Sequence, residues 1–125
     1  MIVTDSRAAS VTRRATAGDI IWRTVARRGM LFSECEAVDH LALDTGGTLA
    51  SRPDDGTDLL WYVLTGGGEF ETESGPPRAL TADDAALVPA GAAVRLTCAE
   101  PTTLLVVSTV PERVSRRLPR RAPCM

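Results

Sequence analysis

The residues of this chain that could do chemistry fall into two short stretches. The first, MLFSECEAVDHLALD, holds the one histidine, His40, with Glu34 and Glu36 at even spacing before it. Successive residues of a strand point to opposite faces, so on an unbroken strand Glu34, Glu36 and His40 share a side. A carboxylate beside an imidazole fixes its tautomer and raises its basicity, which suits proton abstraction next to a carbonyl. His40 and Glu36 are therefore candidate catalytic residues. In the opposite phase, Cys35, Ala37, Leu41 and Leu43 point inward and His40 lies on a wet outer face. That phase is at least as apolar, and the sequence leaves both open.

The second stretch is SRPDDGTD, residues 51–58. Arg52 could hold a substrate carboxylate or phosphate by paired hydrogen bonds, or could instead pair with Asp54, Asp55 or Asp58. Asp54 is a second candidate for moving a proton. Other groups read more simply. Tyr62 points away from the face that Trp61 occupies. Cys98 has no neighbouring base and reads as a small buried hydrophobe. Glu69, Glu71 and Glu73 alternate on one solvated face. The glycines 66–68 lack the lysine and following helix of a phosphate cradle. All fourteen basic residues are arginine, which excludes lysine Schiff-base chemistry.

The elements that must position these residues are strands. Runs rich in β-branched and aromatic residues recur at 20–26, 30–38, 40–44, 48–52, 59–65, 68–73, 85–90, 93–98 and 102–110, separated by Gly, Pro and Asp turns. Short strands at such intervals predict an all-β barrel or sandwich. With 125 residues the chain holds one domain. Its expected parts are an N-terminal arm over 1–19, a barrel over 20–110 and an arginine-rich tail over 111–125, the tail solvated or lying along a subunit boundary. A net charge of −2 argues against a nucleic-acid binder. No apolar run is long enough to span a bilayer and no signal-peptide core is present, so the expected location is the cytoplasm. The three cysteines, Cys35, Cys98 and Cys124, form neither a disulfide framework nor a zinc ribbon.

Two of these stretches, taken with their turns, resemble the paired motifs of the cupin superfamily. The first motif of that family is Gly, five residues, His-x-His, three or four residues, Glu, six residues, Gly. Gly46 to Gly66 fits this frame without a gap, with Arg52 and Asp54 in the histidine positions and Leu59 in the glutamate position. In DAALVPAGAAVRLTC, Pro89 and Gly91 match the second motif, Asp83 takes its leading glycine and Val94 its histidine. The resemblance implies a single-domain cupin β-barrel, or jelly roll. It places Arg52, Trp61, Val63, Val94, Leu96 and Cys98 around an apolar substrate pocket. The substituted ligand positions imply no metal and no cofactor, because a guanidinium stays protonated and a lone Asp54 cannot hold a transition metal. The implied functions are a metal-free isomerase, epimerase, cyclase or dehydratase working by proton transfer, or a non-catalytic small-molecule-binding barrel. In either case the resemblance implies a homodimer.

Overall fold

The computed structural model describes residues 11–14, 19–27, 35–115 and 117. Ten strands appear among them: β1 (Val11–Arg14), β2 (Asp19–Arg27), β3 (Cys35–Leu43), β4 (Thr48–Ala50), β5 (Leu59–Thr65), β6 (Gly67–Thr72), β7 (Gly75–Thr81), β8 (Ala85–Val88), β9 (Val94–Cys98) and β10 (Thr102–Thr109). They form two antiparallel sheets, one in the order β1-β2-β3-β10-β5-β8 and the other β4-β9-β6-β7. The all-β barrel predicted from the turn spacing is the architecture found. Two strands lie where the sequence showed little pattern. β1 falls within the polar arm, and β7 contains Pro76 and Pro77. Proline cannot donate to a ladder, and β7 sits at a sheet edge where no partner needs that donor.

The turns explain why the motif frame survives without its usual side chains. Gly46, Gly66, Asp83 and Gly91 all have positive φ, at 80°, 80°, 71° and 87°. Asp83 tolerates this better than most residues would. Its carboxylate accepts the Tyr62 hydroxyl at 2.9 Å, which also raises the Tyr62 pKa. At Gly68 any Cβ would run into the Thr97 carbonyl, so the strand crossing there requires glycine.

Alternation then fills the interior. Leu41 and Leu43 of β3, Trp61 and Val63 of β5, Val94, Leu96 and Cys98 of β9, and Leu104 and Val106 of β10 are buried in one core. Trp61 meets Phe70 edge-on with ring centroids 6.0 Å apart. One ring belongs to each sheet, so this contact joins them. Tyr62, Glu69 and Glu71 lie outside the core as expected.

The phase of β3 is now fixed. Asp39, Leu41 and Leu43 are buried, which puts His40 on the outer face opposite Arg23 and Leu105. The alignment of His40 with Glu36 on one inward face is therefore corrected. The reason is the apolar content of the odd positions, whose burial outweighs that of a lone imidazole. Glu34 lies outside the described residues.

Replacing Trp61 with Ala should cost about 3–5 kcal/mol, read as a lower denaturant midpoint at unchanged slope. Partial burial and the Arg23 charge, in that order, hold His40 below its ordinary pKa of 6.5. As pH falls through the window beneath 6.5, the unfolded chain binds the extra proton, so stability should fall too. Thermal melts between pH 7.5 and 5 should show this decline in the wild type and a smaller one in His40→Gln.

Candidate functional site

One end of the barrel is left open as a cavity of about 680 Å3. Its apolar wall is Ile20, Trp22, Leu49, Leu59, Trp61 and Val106. Both tryptophans of the chain are in that wall. The polar groups facing it are Glu36, Asp39, Arg52, Asp54, Asp55 and Arg113, with several hydroxyls.

Asp39 is set by strand register. On the inner face Thr24, Asp39, Val106 and Trp61 lie opposite one another across four strands, while Trp22 lies opposite Leu41. Trp22 is thus a diagonal neighbour of Asp39 on one side, and Trp61 lies beyond Val106 on the other. Asp39 is 7 % exposed, and its Oδ1 is covered with no hydrogen-bond partner among the described residues. It is also the only buried charged side chain among them. A buried carboxylate oxygen without a partner is expensive, which singles Asp39 out among the groups facing the cavity.

Glu36 reaches the same cavity although its position has the opposite parity. The β10–β3 register passes from Ser108↔Ala37 to Thr109↔Cys35, leaving Glu36 as the extra residue of a bulge. A matching irregularity skips Val25 between β2 and β3. Such bulges turn a side chain to the other face. The glycine-free sequence gave no sign of this one.

Arg52 and Asp54 lie beyond the end of β4 and on no strand. β4 ends at Ala50, and Pro53–Asp55 form a single 3-10 turn closed by a 3.2 Å bond from the Asp55 N–H to the Arg52 carbonyl. Proline sets the first position of this turn and Gly56, left-handed at φ 68°, ends it. Ser51 anchors the turn, donating to the Ala92 carbonyl at 2.8 Å and accepting from the Val94 N–H at 2.9 Å. Arg52, Asp54 and Asp55 are exposed on the cavity rim. Asp58 is committed elsewhere, accepting the Ala90 N–H at 2.8 Å. No ion pair joins Arg52 to these aspartates among the described residues.

Of the side chains expected around a pocket, Trp61 and Arg52 line the cavity. Val63, Val94, Leu96 and Cys98 do not: they are at most 9 % exposed and belong to the closed core. Burial raises the Cys98 pKa despite a hydrogen bond from Thr102 that lowers it, as befits an inert thiol. His40, on the outer face, does not line the cavity. Asp39 was missed, although a charge on the otherwise apolar phase of β3 was a readable signal. Arg113 was missed because it follows the last strand, in a tail read as solvated. The one-turn helix Glu112–Ser115 carries it to the rim.

Cupin barrels commonly carry a metal at the motif positions. Here those positions hold exposed Arg52 and Asp54, half-buried Leu59 and buried Val94. One oxygen donor beside a permanent cation and two hydrocarbon side chains do not fit a transition metal. No group of three metal-binding side chains occurs among the described residues. No helix among the described residues is long and apolar enough to cross a membrane.

No family model matches this chain, and no curated protein matches it in sequence. Solved structures do. A predicted oxalate decarboxylase from Thermotoga maritima superposes with a TM-score of 0.74 at 16% identity, covering 88% of this chain and 99% of that one. A Cupin 2 conserved barrel domain protein from Salinispora arenicola gives 0.69 at 15% identity, covering 93% of each chain. The Schizosaccharomyces pombe Cnp3 cupin domain gives 0.68 at 12% identity, covering 94% of this chain and 80% of that one. At such identities the likeness speaks for the fold and leaves the activity open. Frame, topology and neighbours agree: the chain has the double-stranded β-helix fold of the cupin superfamily.

Proposed function

We propose that this barrel is a metal-independent enzyme that moves a proton on a small organic molecule held in the cavity. The class is that of isomerases, epimerases, cyclases and dehydratases. Asp39 is the general base, in the role the sequence suggested for His40 or Asp54. The observation that carries this reading is the Asp39 carboxylate, buried and unpartnered at the wall of a cavity of about 680 Å3. That volume lies within the range of roughly 300–1,000 Å3 usual for small-molecule sites. The open carboxylate oxygen faces the cavity, where it can take a proton from a carbon of a substrate held against it. Trp22, Trp61, Leu49 and Val106 keep water from the transfer, and Glu36 provides a second carboxylate to return or relay the proton. Arg52 and Arg113 at the rim orient the polar end of the substrate.

A second reading, a non-catalytic carrier or sensor, is favoured by the position of His40, the sole histidine, outside the cavity. Hydrogen–deuterium exchange separates the two. Incubating the protein in D2O with a panel of small carbonyl, hydroxy and amino compounds should put deuterium into carbon positions of at least one. Asp39→Asn should slow that exchange by about 100-fold or more. Compounds that bind without exchanging, or equal exchange in the variant, would support the carrier.

The barrel acts as a homodimer in this proposal. The outer face of the six-stranded sheet carries Ile21 at 48% and Leu87 at 80% exposure, with Val38, Leu60 and Leu105 between them half-buried. Sedimentation should show a dimer for the wild type and a shift toward monomer for Leu87→Glu.

A further inference from the structure

The sign of charge in the cavity says more about its ligand than its size does. Among the described residues four carboxylates, Glu36, Asp39, Asp54 and Asp55, face it against two guanidiniums, Arg52 and Arg113. Their depths differ. Arg52, Arg113, Asp54 and Asp55 are exposed at the rim, where water screens them, whereas Asp39 is buried. Among the described charged groups, the one set deepest in the cavity is therefore a carboxylate. Among the residues whose burial is described, no buried guanidinium opposes it.

We infer that the cavity takes a small organic cation, an ammonium group seated against Asp39 between Trp22 and Trp61. A charged N–H group supplies the donor that the covered Oδ1 lacks, and a charge-assisted hydrogen bond is roughly twice as strong as a neutral one. The walls suit the same guest. Tryptophan attracts cations more strongly than other aromatic residues do, and the register brackets Asp39 with two of them. A carboxylate or phosphate at the same depth would meet Asp39 with like charge. The inference rests on the reading of this cavity as the ligand site, and not on whether proton transfer follows binding.

The test uses three probes of similar size: benzylammonium, benzyl alcohol and benzoate. Trp22 and Trp61 are the two tryptophans of the chain and both line the cavity, so the tryptophan fluorescence of the unmodified protein reports on it. The ammonium should change that fluorescence and bind at least tenfold more tightly than the alcohol by calorimetry, with benzoate weakest. Asp39→Asn should erase the preference. If that variant does not fold, the order of the three probes on wild-type fluorescence decides the matter. Benzoate binding as tightly as the ammonium, or a preference unchanged in a folded Asp39→Asn, would overturn the inference. Proton exchange without cation preference would remove this inference alone. Cation preference without exchange would remove the catalytic reading and leave this one standing.

Discussion

One buried carboxylate oxygen without a partner is the feature that the packing of this molecule does not account for. The inner face of the six-stranded sheet is apolar from Leu43 through Leu104 and Trp61 to Val88, and Asp39 interrupts it. Leaving such a group unpaired costs about 1–3 kcal/mol or more, which a fold selected for stability alone would avoid. The surroundings are consistent with a retained cost. Two bulges lie at the same end of β3, one of them turning Glu36 inward, and the cavity opens there. Irregular strands, an open cavity and an unpaired charge in one place are the usual compromise between stability and function.

The cupin scaffold supplies the positions but with different chemistry. The left-handed turns at Gly46, Gly66, Asp83 and Gly91 keep the strands in the motif's register. The side chains that a metal would need are replaced by Arg52, Asp54, Leu59 and Val94. Further polar groups of the cavity lie outside both motifs, Glu36 and Asp39 on β3 and Arg113 beyond the last strand. Below the rim the opposite end of the barrel is closed by Val63, Val94, Leu96 and Cys98 around Leu104. The cavity is accordingly shallower than the motif positions alone would suggest, with Trp61 at the boundary between core and site.

Much of this was legible in the sequence because β-structure has a strict period. β5 spans the expected 59–65, and Trp61, Leu96 and Cys98 point inward as alternation requires. The frame of turn residues gave the fold. What could not be read were departures from the period. Glu36 faces the cavity through a bulge that carries no glycine, and the run read over 48–52 stops at Ala50, ahead of the Pro53–Asp55 turn. Pro76 and Pro77 looked like a turn, because sequence does not reveal that β7 is an edge. Asp39 was readable in principle: once Leu41 and Leu43 are taken inward, alternation takes Asp39 with them.

The most direct test of the account is the stability of Asp39→Val, measured by chemical denaturation beside the wild type. Valine suits a strand and removes the carboxylate without opening a large void. If Oδ1 has no partner and is retained for a ligand, the variant should be at least as stable as the wild type, and more so by about 1 kcal/mol. A loss of about 2 kcal/mol or more would mean that the carboxylate holds the fold together through a bond of its own. The cavity would then have lost its reason to be a site.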